Sequence, residues 1–142
     1  MLGGVMLVGG LGPASVADAA PVPVSSRGEP LHQECDSHYI EWAQVHDYGG
    51  GKVKMRLKPK NLGWSPGYTI AQNMWADYFE CIGTRRWFDR LTVSQQESLR
   101  MQHHCHARIG FLGRPKSGST FDYESWHPKR DGMVDALQNH CN

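Results

Sequence analysis

Lys52-Val53-Lys54-Met55-Arg56-Leu57-Lys58 alternates a cation with an apolar residue at every step. A period of two belongs to a β-strand, where successive side chains leave on opposite faces. Val53, Met55 and Leu57 then face a core, while Lys52, Lys54, Arg56 and Lys58 face away from it. Just upstream, Asp47-Tyr48-Gly49-Gly50-Gly51 supplies a turn. The stretch from His38 to His46 (HYIEWAQVH) is β-branched and aromatic enough for a partner strand, although neither alternate set is purely apolar. This is a β-hairpin ended by Pro59, with a glycine-rich loop that leaves its register open.

Helical spacing follows. Thr69 is a candidate cap, and Ile70, Met74, Trp75, Tyr78, Phe79 and Ile82 recur on one broad helical face before Gly83. A second helix starts near Leu91-Thr92-Val93-Ser94, where Thr92…Gln95 and Ser94…Glu97 both fit a capping box. It runs through Leu99, Gln102 and Cys105 to about Ile109, and Gly110 to Gly118 (GFLGRPKSG) reads as a loop. Phe121 to Trp126 is a short aromatic strand ended by Pro128. Asp131-Gly132 opens a last helix with Met133, Val134, Leu137 and Cys141 on one side. The order predicts an α+β fold, a small antiparallel sheet with about three helices, stapled by two disulfides.

The crosslinks follow from the cysteines. Cys35, Cys81, Cys105 and Cys141 all lie downstream of an apolar stretch, Leu2 to about Leu11, and of small residues ending in Ala17-Asp18-Ala19. An even cysteine count behind an export signal reads as a disulfide framework, placing the protein outside the cell. Residues 1–19 are read as a signal peptide, although no Lys or Arg follows Met1. Its apolar run falls short of the roughly 20 residues that span a bilayer, so no stable membrane insertion is expected after cleavage. Residues 20–34 (from APVPVSSRGEP onward) read as a flexible arm, and 35–142 as a single domain.

Of 142 residues, 15 are Lys or Arg and 14 are Asp or Glu. The leader removes only Asp18, leaving 15 basic and 13 acidic side chains, a formal +2. Bulk charge therefore does not mark a nucleic-acid binder.

Three stretches together resemble a small secreted actinobacterial family known as domain of unknown function 2599. Ser98-Leu99-Arg100-Met101-Gln102-His103-His104-Cys105-His106 is similar to its Gln-x-x-Cys-His helix. Phe121 to Pro128 (FDYESWHP) is similar to its aromatic, acidic, Trp-x-Pro segment, and Asn139-His140-Cys141-Asn142 to its closing Cys-Asn. Trp75 falls where the family carries a helical Trp. This chain departs from the pattern at His127, at Gly110 to Gly118, and in having the extra pair Cys35 and Cys81. Four cysteines allow three pairings. The resemblance implies Cys105–Cys141, which leaves Cys35–Cys81. It implies no activity.

Candidate functional residues fall into three groups. Lys52, Lys54, Arg56 and Lys58, with Lys60 beyond them, project from one strand face as a footprint for an anionic polymer or cell-envelope component. The plainer reading is an edge strand charged against aggregation. Trp64, Tyr68, Trp87 and Trp126 are candidate groove aromatics, Trp126 being the candidate binding residue among them, whereas Trp75 belongs to the core. Second, His106, His127 and Glu124 with Arg100 and Arg108 could run metal-independent phosphodiester cleavage, one histidine as base and one as acid. Third, His103 and His106 share a helical face at metal-ligand spacing, but they match no known zinc motif, so no metal and no cofactor is expected. The expected function is a secreted binding module. The alternatives are a secreted hydrolase or toxin and a structural cell-envelope protein.

Overall fold

Gly50 and Gly51 make the hairpin turn, with φ of +58° and +76°. Two consecutive positive φ values are what a two-residue turn of this hand requires, and glycine adopts them without steric cost. The computed structural model of the chain describes residues 28–60, 68–113 and 120–142. The turn joins β2 (Ile40–Gly49) to β3 (Lys52–Pro59), closing on the pair Gly49 and Lys52. The side-chain amide of Gln95 donates to the Gly51 carbonyl at 2.9 Å, and buried Ser125 donates to the same oxygen at 2.7 Å.

On β3, Val53, Met55 and Leu57 are buried and the four cations point outward, as the alternation predicts. On β2 the buried residues are Ile40, Ala43 and Val45, which change parity midway. A register shift between Ile40 and Trp42 explains this: one extra residue in the strand flips the side on which the next residues leave. It is also why neither alternate set of that stretch reads as purely apolar.

Two further strands complete a four-stranded antiparallel sheet in the order β1-β2-β3-β4: β1 (Leu31–Glu34) and β4 (Phe121–Glu124). The strand Leu31–Glu34 shortens the arm expected over 20–34, since β2 offers its outer edge as a pairing partner. The leader and the rest of that arm lie outside the described residues.

The helices α1 (Tyr68–Ile82), α2 (Arg86–Asp89) and α3 (Val93–Gly113) supply the other half of the core. Met74, Tyr78, Phe79 and Ile82 of α1 are buried as the periodicity predicts, and Trp75 packs against the same core. Thr69 falls inside the first turn of α1 and is not its cap. Gly83, at φ +69°, stops the helix by donating to the Phe79 and Glu80 carbonyls. The helix α2, one turn beyond the three expected, buries Trp87 and Phe88. Trp87 is therefore a core residue and lines no groove, while the Trp64 and Tyr68 side chains lie outside the described residues.

Thr92 and Gln95 form the capping box of α3: the Thr92 N–H donates to Gln95 Oε1 at 3.0 Å, and the Gln95 N–H donates to Thr92 Oγ1 at 3.3 Å. The helix runs on to Gly113, so Gly110 to Gly113 is helical where a loop was expected. A glycine costs a helix about 1 kcal/mol without ending it. In α4 (Met133–Gln138) the inward residues are Met133 and Ala136, beside the bridge, whereas Val134 and Leu137 are exposed. The chain leaves the helix before Cys141, where His140 and Cys141 take positive φ, so Cys141 does not continue the expected stripe.

The disulfides are Cys35–Cys81, joining the residue after β1 to α1, and Cys105–Cys141, joining α3 to the segment after α4. This is the pairing implied by the resemblance. Among the described residues no helix is long and apolar enough to cross a membrane.

Candidate binding face of the sheet

The outward side chains of the sheet fall into cross-strand rows. His46, Lys54 and Glu124 are register partners across β2, β3 and β4. The neighbouring row runs His32, Gln44, Arg56 and Asp122 across all four strands. Neighbouring strands lie about 4.8 Å apart, so each row gathers side chains from distant parts of the sequence.

Three of the four cations on β3 are engaged by carboxylates. Lys54 Nζ lies 3.1 Å from a carboxylate oxygen of both Asp122 and Glu124, Arg56 Nε lies 3.0 Å from Asp122, and Lys58 Nζ lies 2.6 Å from Glu41. This corrects the expectation of a charged edge strand. β3 is an interior strand, so it is not a charged edge, and its neighbours place acids beside its cations. Lys52 makes no ion pair among the described residues, and Lys60 instead donates to the Ser37 carbonyl. Against Lys52, Lys54, Arg56 and Lys58 stand Glu41, Asp122 and Glu124, a local surplus of one positive charge.

The pairing sets the protonation states. Burial alone would raise Asp122, but hydrogen bonds from Arg56 and Lys54 outweigh it and hold the carboxyl below its ordinary range. Burial would lower Lys54, and hydrogen bonds to Glu124 and Asp122 raise it instead. Both groups are ionised at neutral pH.

Near the hairpin turn the face becomes aromatic. His46 stacks on Tyr48 with ring centroids 3.8 Å apart, Tyr48 meets Trp126 edge-on at 6.0 Å, and Trp126 lies 6.3 Å from His127. Tyr48 is 53% exposed and Trp126 44%, which makes them the exposed large aromatics among the described residues. A cleft of about 260 Å³ is lined by Pro30, Gln44, His46, Tyr48, Lys54 and Arg56. Trp126 meets Tyr48 at the rim of this region but does not line the cleft itself. Tyr48, His46 and Gln44 were missed, because the parity change in β2 hid which of its residues face outward.

The acid–base set divides. His127 Nε2 lies 2.7 Å from one oxygen of Glu124, whose other oxygen holds Lys54, so these two candidates do meet. His106 does not join them. Its ring stacks on Phe121 at 5.5 Å and lies 5.7 Å from Tyr123, both inward residues of β4, whereas Glu124 leaves on the other face. Burial lowers its pKa, with Asp122 opposing in part. Arg100 is also remote, lining a separate cavity with Met101 and Met133, and Arg108 lines that same cavity.

The Gln-x-x-Cys-His motif is structural. Gln102 is buried; its amide nitrogen donates to the Glu124 carbonyl at 2.9 Å, and its oxygen accepts from the Glu124 N–H at 2.9 Å. Ser98 donates to the His127 carbonyl at 2.9 Å. These contacts fix the backbone that carries Glu124 and His127. His103 is fully buried between the Ala71 carbonyl, 2.6 Å from Nε2, and the Tyr123 hydroxyl, 3.0 Å from Nδ1. A carbonyl can only accept, so Nε2 carries the proton and Nδ1 accepts from Tyr123. With both nitrogens engaged inside the core, His103 is not placed to ligate a metal with His106.

No protein-family model, curated protein or solved structure gives a match to the chain.

Proposed function

We propose that the protein is a secreted binding module whose outer sheet face holds an anionic cell-envelope polymer. The observation that carries this is the exposed Tyr48–Trp126 pair beside a cleft containing Lys54 and Arg56. Exposed aromatics offer apolar faces at low entropic cost, and the neighbouring cations and amide offer hydrogen bonds. The β3 cations exceed the carboxylates paired with them by one, and Glu34 of β1 adds a further negative charge to the same face, so it lacks the phosphate-neutralising cations that nucleic-acid affinity rests on. An acidic polysaccharide, with apolar ring faces and widely spaced charges, suits it better. Export is supported by the sequence reading of the leader and by the two disulfides.

The test is capture on an immobilised acidic polysaccharide and on its carboxyl-reduced counterpart. The wild type is expected to prefer the acidic form, with Tyr48→Ala and Trp126→Ala each weakening capture by about tenfold, as central aromatic anchors do. Capture unchanged in both variants would remove the sheet face from consideration.

A second reading, a metal-independent phosphodiesterase, is favoured by one observation. The Glu124–His127 pair and His46 flank Lys54 in one cross-strand row. His46 would act as base, His127 as the acid oriented by Glu124, and Lys54 would stabilise the developing charge. Turnover of a phosphodiester that His46→Ala and His127→Ala both abolish would support it. Turnover surviving both would reject it.

A further inference from the structure

A second cavity, of about 320 Å³, lies between α3 and the C-terminal segment. Its apolar lining is Met101 and Met133, the two side chains that pack against the buried Cys105–Cys141 bridge. Its polar lining is mostly cationic. Arg100, His104 and Arg108 follow one another at four-residue intervals on α3, so they share one stripe of the helix. Lys129 reaches in from the C-terminal segment. The carboxylate lining the cavity, Glu97, is held by Lys129 at 2.6 Å. Arg100 and Arg108 make no ion pair among the described residues.

Arg100 and Arg108 stand eight residues apart on this stripe, about 12 Å along the helix axis. Burial first, and then Arg100 and Arg108, lower the pKa of His104, which disfavours a third charge on the stripe. That leaves two guanidinium groups with no ion pair among the described residues, over a thioether-lined hollow. Arginine forks match carboxylates bidentately, and methionine side chains adapt to an alkyl chain. The volume lies near the lower end of small-ligand pockets, which suits one medium-length chain and not a two-chain lipid.

We propose that this cavity binds a medium-length fatty acid as its free carboxylate, with the head on Arg100 and Arg108 and the chain over Met101 and Met133. The site is separate from the sheet face and does not depend on the reading given there.

Calorimetric titration of the purified protein with decanoate tests it, with decanol, acetate and anionic phospholipid vesicles as parallel arms. Saturable one-to-one binding of decanoate is expected, at least about tenfold tighter than decanol, since a charged hydrogen bond is worth 1.4 kcal/mol or more. Acetate and the vesicles are expected not to bind. The double variant Arg100→Gln/Arg108→Gln alters exposed side chains, so it folds, and it is expected to weaken decanoate by tenfold or more. Decanol binding as tightly as decanoate, undiminished decanoate binding by the double variant, binding to vesicles alone, or no decanoate binding would each overturn the proposal.

Discussion

His103 has no exposed surface and is held neutral by it; burial lowers its pKa to about 3, with the hydrogen bond to Ala71 opposing and His104, His106 and Arg100 adding to the drop. In the unfolded chain the same ring titrates near 6.5. Its folded pKa is depressed, so the stability it contributes is complete above about pH 6.5 and is lost as pH falls toward 3. Moving from pH 7 to 5 is expected to cost about 2 kcal/mol from this residue alone. Urea unfolding at both pH values measures it, and His103→Gln, which cannot take up the proton, is expected to flatten that part of the slope. Parallel slopes would show that His103 is not the group responsible. None of this was legible in the sequence, where His103 is one of three histidines around Cys105 and looks like a ligand. What separates His103 from His106 is what packs on each: His103 meets Ala71 of α1 and Tyr123 of β4, while His106 stacks on Phe121 of β4. Gln102 was visible only as part of a motif. Its replacement by Leu would leave the Glu124 N–H unpaired and the Glu124 carbonyl with only the long bond from the His127 N–H at 3.3 Å, with an expected loss of about 1–3 kcal/mol in thermal or urea unfolding.

Among the elements, the hairpin was the most legible because its strands obey a strict period and its turn demands glycine. β2 was half legible, since one extra residue between Ile40 and Trp42 scrambles its alternation without disturbing the pairing. The last helix was misread, because six residues ending near a left-handed Cys141 are positioned by the bridge more than by their own periodicity. The two bridges also differ in access. Cys105 and Cys141 are 0% and 2% exposed, whereas Cys35 and Cys81 are only partly buried. Thiol exchange needs the attacking thiolate to reach a sulfur. Limited reduction followed by alkylation is therefore expected to label Cys35 and Cys81 first, and earlier labelling of Cys105 or Cys141 would contradict the burial. Each closed loop contributes about 4 kcal/mol on chain-entropy grounds. Removing Cys105–Cys141 by Cys141→Ser is expected to do more damage, since that bridge centres the small cluster of Met101, Met133 and Ala136 that holds the C-terminal segment. Limited proteolysis is expected to clip that segment before it clips the sheet.

Across the whole molecule, the decisive fact is the position of β4. Its pairing with β3 carries Asp122 and Glu124 into the row of cations, converting a basic strand into a nearly balanced face. The sequence showed both the cations and the acids but not their adjacency, because strand order depends on how the chain returns after α3. The balance has a consequence of its own. Asp122→Asn with Glu124→Gln removes two negative charges and frees Lys54 and Arg56, so capture of an acidic polysaccharide is expected to strengthen and to become more sensitive to salt. The sheet-face assignment itself is tested most directly by backbone and indole NMR shifts during titration with an acidic oligosaccharide. Perturbations concentrated on Gln44, His46, Tyr48, Lys54, Arg56 and the Trp126 indole are expected. Shifts confined to α3 and α4, or no shifts at all with any acidic oligosaccharide, would contradict it.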